Sequence, residues 1–261
     1  MSITSNLFDL SGKVAVITGS SKGIGKSIAA ELAAAGAKVV ISSRKAEPCK
    51  AVAAEINAAC EGATGEAVSI PANIGDKAAL QALVDQTREK WGKIDILVCN
   101  AAINPYYGPS SSIPDDAFDK IMSSNIKSNH WLCNMVIPEM TERNDGSIII
   151  VSSAGGLRAS TVIGAYAISK AADMQLVRNL AAEVGPSNVR VNAIAPGLIR
   201  TDFARALWEN PKTLKSVTAT TPLRRIGEPE ELGGVAVFLA SRAGTYVTGQ
   251  TIVVDGGMTI V

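Results

Sequence analysis

Histidine and cysteine are scarce in this chain. There is one histidine, His130, and four cysteines, at 49, 60, 99 and 133, among 261 residues. No two cysteines stand at metal-ligand spacing, so the chain lacks the ligands for a zinc site, and no metal is expected. The cysteines read as reduced thiols, mostly packing residues. A Ser–His–Asp hydrolase would have to use His130, which lies in a helical pattern, and no G-x-S-x-G elbow occurs. His130 therefore reads as a helix residue with a satisfied hydrogen bond. Charge of one sign is also missing. The net charge is +1 with no basic block, which gives no footprint for nucleic acid. No apolar run approaches membrane-spanning length. The first twelve residues carry Asp9 and no signal-peptide core, and the ending Thr259-Ile260-Val261 is not a peroxisomal address. The expectation is a soluble, cytoplasmic protein. Of the few aromatics, Trp91 and Trp131 read as packing, whereas Trp208 is open between packing and ligand contact.

Apolar residues make up 47% of the chain and charged residues 19%, a balance that argues against disorder. The length suits one α/β domain that buries roughly three quarters of its unfolded surface. Strand and helix patterns alternate. Strands are expected at 13–18, 37–42, 66–70, 94–99, 148–151, 189–194 and 251–254. Helices are expected at 26–35, 45–59, 77–91, across 115–140 between Pro114 and Pro138, after Ile163, and within 197–240. That alternation argues for a doubly wound parallel sheet of the Rossmann type, covered on both faces. No composition break or repeat divides it.

Two stretches carry chemistry. The first is Gly19-Ser-Ser-Lys-Gly23-Ile-Gly25, between a strand and a helix. Such a turn presents backbone N–H groups and a helix dipole to an anion, and glycines let a phosphate approach. Gly25-Lys26-Ser27 also looks like the end of a P-loop. Ser20 stands where its first glycine should be, however, and Asp95 lies at the wrong end of its strand to hold magnesium.

The second stretch runs from Ile148 to Lys170. Tyr166 and Lys170 are i and i+4 on one helix and share a face. Ala165, Ile168, Ala172, Leu176 and Leu180 fall near one apolar stripe of that helix. A phenol ionises near pH 10, and bringing it close to neutrality needs roughly 4 kcal/mol from nearby positive charge, of which Lys170 supplies part. A chance Tyr-x-x-x-Lys pair is expected about one time in five at ordinary composition, so the pair alone is weak. Ser153 ends the preceding strand, within reach of the same reacting oxygen. Ser152 is its rival, pointing to the opposite face.

Together these pieces resemble the short-chain dehydrogenase/reductases. Thr18-Gly-Ser-Ser-Lys-Gly-Ile-Gly25 is similar to the family's cofactor loop, and Asn100-Ala-Ala102 to its Asn-Ala-Gly. Ser153 lies thirteen residues before Tyr166, as in its catalytic set. Pro196-Gly197 and Val254-Asp-Gly-Gly257 match as well. The resemblance extends from about Leu10 to Met258. Within the family, Ser42-Ser-Arg-Lys45, Asn104-Pro-Tyr-Tyr-Gly108, Pro196-Gly-Leu-Ile-Arg-Thr201 and Arg225-Ile-Gly-Glu-Pro-Glu230 resemble NADPH-dependent carbonyl and retinal reductases. Ala102 in place of glycine and Asn73 in place of aspartate are departures.

The resemblance implies hydride transfer between a nicotinamide and a carbonyl or secondary alcohol. It implies that Tyr166 is the proton donor, Ser153 holds the reacting oxygen, and Lys170 lowers the tyrosine pKa and bonds the nicotinamide ribose. Asn125 would hold a water that relays the proton. Cofactor contacts are expected at Gly19, Ser21, Lys22, Gly23, Ile24, Gly25, Ser43, Arg44, Asn73, Ile74, Asn100, Ala101 and Ala102. They are also expected at Tyr166, Lys170, Pro196, Gly197, Ile199 and Thr201. A lid is expected over 197–217, and a homotetramer through the Tyr166 helix, whose Ala171, Ala172, Ala181 and Ala182 permit close contact. Ser43 carries no charge where an NAD-specific site has a carboxylate, and Arg44 with Lys22 suits a 2′-phosphate, so NADP(H) is expected over NAD(H). Asn104-Pro-Tyr-Tyr107, Leu157, Val162, Leu198, Phe203 and Leu207 are expected to line an apolar pocket for a small-molecule ketone. Two other readings stay open. One is a 3-oxoacyl thioester reductase, which needs a basic patch of the kind Arg158, Arg200 and Arg205 would make. The other is a non-catalytic nucleotide-binding regulatory module.

Overall fold

The structure is a computed structural model that describes residues 7–261. The expectation that no leader precedes the fold falls partly on residues 1–6, outside the described residues. Seven parallel strands form one sheet in the order β3-β2-β1-β4-β5-β6-β7. They are β1 (Val14–Thr18), β2 (Lys38–Ser42), β3 (Glu66–Ser69), β4 (Ile96–Cys99), β5 (Gly146–Val151), β6 (Val189–Pro196) and β7 (Thr251–Val254). The doubly wound reading holds. After β3 the chain returns to the far side of β1 and adds β4 there. That reversal opens a crevice beyond the carboxyl ends of β1 and β4, where open parallel sheets take their ligands.

The strands are apolar on both faces because helices cover both. Alternation along each strand divides the core in two. Ala15, Ile17 and Ile149 pack with α1 (Gly23–Ala34), α2 (Ala46–Ala59) and α9 (Glu230–Ala240). Val16, Ile148 and Ile150 face α3 (Lys77–Trp91), α5 (Ser128–Arg143) and α6 (Gly164–Val184). Along the chain, α4 (Asp115–Met122) precedes α5, and α7 (Arg205–Trp208) and α8 (Pro211–Thr220) lie between β6 and α9. No described helix is long and apolar enough to cross a membrane.

Several boundaries differ from the sequence expectation. α1 begins at Gly23, not Lys26, so the glycine turn is partly the first turn of the helix. β4 begins at Ile96 because the Asp95 carboxylate accepts the Val14 N–H at 2.8 Å and sets the edge of the ladder. The expected helix over 115–140 is interrupted by a π-helical turn at Ser123–Lys127 and then continues past Pro138 to Arg143. An interior proline costs about 3 kcal/mol. Val136 and Met140 on either side of it are fully buried, and each such side chain recovers about 1.5–3 kcal/mol. Asn144, left-handed at φ 50°, ends the helix.

The expected apolar stripe of α6 also shifts. Ile168 is 54% exposed, and the buried face instead carries Ser169, Lys170 and Asp173 among Ala165, Met174 and Val177. A face that holds ionisable groups has less room for aliphatic ones. Ala181 is buried in the core rather than offered for helix contact, whereas Ala171 and Ala182 are exposed.

Candidate active site

One cavity of about 1140 Å³ lies at the carboxyl ends of the strands. Its glycine-turn wall is shaped by close approach. A Cβ on Gly19, at φ +66°, would stand 2.9 Å from the Ala101 Cα. Asn100 fastens this turn to β4: its Nδ2 donates to the carbonyls of Thr18 at 2.9 Å and Gly19 at 3.1 Å. Lys22, the extended residue before α1, gives no side-chain cap, so the first N–H groups of the helix are left for an anion. Gly19, Ser21, Lys22, Gly23 and Ile24 all line the cavity, as do Ser43, Arg44, Asn73 and Ile74. Asn100, Ala101, Ala102, Pro196, Gly197, Ile199 and Thr201 line it too.

Gly25 does not. It is buried behind the turn, where a Cβ would come within 2.4 Å of Asn100 Nδ2 and 2.5 Å of the Gly19 carbonyl oxygen. Its glycine is required for packing rather than for ligand contact. Lys45, which follows Arg44, is on the wall and was legible as a third cation.

Two cations on this wall, Lys22 in the turn and Arg44 after β2, differ in their partners. Lys22 Nζ is 3.1 Å from Asp202, in the loop between β6 and α7. Arg44 has no ion-pair partner among the described residues and stands exposed on the wall. Asn73 Oδ1 accepts the Gly75 N–H at 3.2 Å, which leaves its Nδ2 group as the unengaged end.

The reacting end is built by β5 and α6. Ser152 and Ser153 both touch the cavity, but their hydroxyls differ. Ser152 donates to the Lys170 carbonyl at 2.6 Å and is buried. Ser153 Oγ accepts the Gly155 N–H at 3.0 Å, and its own proton is directed to the Tyr166 phenol side. Tyr166 and Lys170 line the same wall, with the Lys170 Nζ 5.8 Å from the Tyr166 ring centre. The Lys170 ammonium donates to the Val151 carbonyl at 2.9 Å and to Asp173 Oδ2 at 3.0 Å.

Burial pushes the Tyr166 phenol above its ordinary pKa. Lys170 and the Ser153 hydroxyl pull it down, while Asp173 and Tyr107 add to the rise. The lysine thus acts in the expected direction, yet in the protein alone burial outweighs it. Burial also disfavours the Lys170 charge, but Asp173 and Tyr166 outweigh that and raise its pKa above the usual lysine value.

Asn125 is not on the cavity wall. It is fully buried in the π-helical turn, and both ends of its amide are engaged. Its Oδ1 accepts the Ile103 N–H at 2.9 Å, and its Nδ2 donates to the Ile103 carbonyl and the Ser169 hydroxyl, each at 3.0 Å. Its backbone carbonyl takes the Asn129 amide at 2.7 Å. The water-relay expectation therefore finds no open polar atom on the Asn125 side chain. It clamps the loop after β4 to α6.

Of the expected pocket residues, Asn104, Tyr107, Leu198, Phe203 and Leu207 line the cavity. Leu157 and Val162 do not; each is 48% exposed on the outer surface. Tyr106 turns away, its hydroxyl donating to the Pro109 carbonyl at 3.1 Å. Ile163, Val217 and Met258 complete the apolar wall unforeseen, because they come together from three separate segments. The Phe203 ring centre lies 5.9 Å from that of Tyr166. Trp208 resolves to packing: its Nε1 donates to the Thr201 carbonyl at 2.8 Å, and Arg200 lies over its ring. His130 sits exposed on α5, 2.9 Å from Asn134. All four cysteines are free and buried.

The chain is similar to known proteins. Residues 19–259 match the family described as enoyl-(acyl carrier protein) reductase. The bovine (Bos taurus) protein called dehydrogenase/reductase SDR family member 4 is 42% identical over 95% of this chain and 88% of its own length. The chain belongs to the short-chain dehydrogenase/reductase family. A solved gluconate 5-dehydrogenase from Burkholderia cenocepacia, in complex with NADP and tartrate, superposes with a TM-score of 0.92 at 34% identity, covering 98% of each chain. Levodione reductase superposes with a TM-score of 0.91 at 31% identity, covering 96% of this chain and 99% of its own. As a member of the family, this protein is an oxidoreductase that transfers hydride in an NAD(P)-dependent reaction at CH–OH/C=O groups.

Proposed function

We propose that this short-chain dehydrogenase/reductase uses NADP(H) to interconvert a medium-sized apolar or aromatic ketone and its secondary alcohol. The observation that carries the reading is the wall beside Tyr166. Tyr107, Leu198, Phe203, Leu207 and Val217 are apolar or aromatic there, the lining expected of a pocket for such a substrate. A bound reduced nicotinamide supplies the hydride. Tyr166 gives its proton to the oxygen that gains charge, acting as general acid. Ser153 keeps its proton and hydrogen-bonds the same oxygen through its hydroxyl, which fixes its position. Lys170 uses two N–H groups on Val151 and Asp173 and keeps its third for the cofactor ribose. The close-approach glycine at 19, the uncapped start of α1 and the cations Lys22, Arg44 and Lys45 suit a phosphorylated dinucleotide. Arg44 is the main reader of the 2′-phosphate, since Lys22 is shared with Asp202.

Residues 197–217 act as the lid over a single catalytic domain. The acyl-carrier reading needs a basic patch, and its three candidates are otherwise engaged. Arg158 donates to the Met258 carbonyl, Arg200 pairs with Glu228, and Arg205 pairs with Asp202. A homotetramer joined along α5 and α6 would cover Ile168, Ala171 and Ala182, and light scattering that gives a monomer mass at micromolar protein would refute it. The deciding test of function is the loss of NADPH absorbance with a panel of ketones, diketones, acyl thioesters and sugar phosphates. Apolar ketones should turn over fastest; preference for a sugar phosphate would refute the substrate assignment.

A further inference from the structure

A carboxylate that no motif marked sits beneath the reacting pair. Asp173 is fully buried, one turn beyond Lys170 on α6. Its Oδ2 is 3.0 Å from Lys170 Nζ, and its Oδ1 accepts Asn129 Nδ2 at 2.9 Å. Asn129 also donates to the Asn125 carbonyl at 2.7 Å, the Asn125 side chain donates to Ser169, and Ser169 donates to the Tyr166 carbonyl at 2.7 Å. The polar chain thus runs from Lys170 through α5 and back to the backbone of Tyr166.

A buried ion pair is a poor source of stability, because desolvation of both partners offsets their attraction. Its placement under the phenol calls for another reason. The titratable groups facing Asp173 are few. Lys170 and Tyr166 lie on its own helix, Cys99 on β4 and Cys133 on α5, with Tyr107 beyond the phenol. The Cys99 thiol is held well above its usual pKa, first by its hydrogen bond with Cys133 and then by burial, and stays neutral. Asp173 is the one carboxylate in this set. Without it, a lysine that is 2% exposed would keep only the Val151 carbonyl as a fixed acceptor, and burial favours the neutral amine there.

We propose that Asp173, oriented by Asn129, is a positioning residue that keeps Lys170 an ammonium ion with its remaining N–H facing the cavity. The proposal rests on the carbonyl-reductase reading for its effect on rate, but not for its effect on charge. Two measurements on the full-length protein test it. NMR of isotope-labelled lysine, with Lys170 assigned through Lys170→Met, follows the charge without any turnover. Asp173→Asn should lower the pH at which Lys170 loses its proton by about one unit or more. The alkaline limb of kcat/KM for ketone reduction should move down with it. The variant should fall toward about tenfold slower than the wild type only at pH values above its own lowered Lys170 titration and stay within about threefold near pH 6.5, with the loss in kcat rather than KM.

A merely structural ion pair would lower Tm and leave both titrations in place, and that result overturns the proposal. Should Asp173→Asn not fold, Asn129→Ala keeps the carboxylate and removes one of its donors. It should shift both titrations the same way by a smaller amount, and no shift overturns the proposal. A wild type that reduces no carbonyl would refute the reaction reading, while the lysine titration would still decide where the charge is held.

Discussion

Lys170 and Arg44 line the same cavity under opposite conditions. Lys170 is 2% exposed and is held by a carbonyl and a carboxylate at about hydrogen-bond length. Arg44 stands in solvent with no ion-pair partner among the described residues. A charge at the dry floor acts on its neighbours through a low dielectric and is expensive to uncouple. A charge at the wet rim acts through direct contact with a ligand and is screened by salt. Under the proposed function, the floor sets protonation of the reacting group and the rim sets which cofactor is held.

Removing the transferable proton should give the largest effect. Tyr166→Phe keeps the ring against Phe203 and should lower kcat by two or more orders of magnitude, with cofactor binding retained in a titration. More than about a tenth of the activity remaining would show that Tyr166 is not the acid. The pH dependence has a defined sign. The phenol is raised above its ordinary value, so reduction persists at pH values where a free tyrosine has ionised, and it is lost as pH rises through that raised pKa.

Breaking the floor from the lysine side should also affect stability. Lys170→Met leaves Asp173 buried without its cation, and breaking a buried pair in this way costs about 3–5 kcal/mol. Denaturant unfolding should detect it at neutral pH. Stability that recovers as the solution is acidified and Asp173 becomes protonated would identify the uncompensated carboxylate as the cause.

At the rim, a smaller and salt-sensitive loss is expected. Arg44→Ala should reduce the NADPH preference in kcat/KM by about tenfold or more, the equivalent of a charge-assisted contact of roughly 1.5–3 kcal/mol. The effect should shrink as ionic strength rises. Equal or better use of NADH by the wild type would overturn the cofactor assignment. An unchanged preference in the variant would move it from Arg44 to Lys22 or Lys45.

The smallest effect belongs to an exposed pair at the start of α9. Arg225 grips Glu231 with two N–H groups at 2.7 and 2.6 Å, and the Glu228 N–H adds a third bond. These hold the Glu231 carboxyl down to about 2. Its contribution is present above the ordinary glutamate pKa and is lost as pH falls through about 2. Because the pair is exposed, Glu231→Gln should cost less than about 1 kcal/mol at neutral pH. A larger loss in thermal unfolding would mean that this pair is more closely packed than its exposure indicates.

Local patterns carried far in this chain. Apolar runs alternating with helical spacing specified the parallel sheet, because a strand buried on both faces has to be apolar on both. Tyr166 and Lys170 were legible as one pair because i and i+4 share a helix face whatever lies around them. The glycine turn was legible because a Cβ at Gly19 has no room. Other features depended on contacts between distant segments. Gly25 and Asn125 matched the motif positions, yet the fold placed one behind the turn and consumed the amide of the other on Ile103 and Ser169. Leu157 and Val162 had the chemistry of a pocket lining, but only the path of the loops put them outside. Asp173 was visible three residues after Lys170 as an ordinary helix carboxylate. Its importance came from burial and from Asn129 on a neighbouring helix, since dielectric and hydrogen-bond partners are properties of the packed molecule and not of residue spacing.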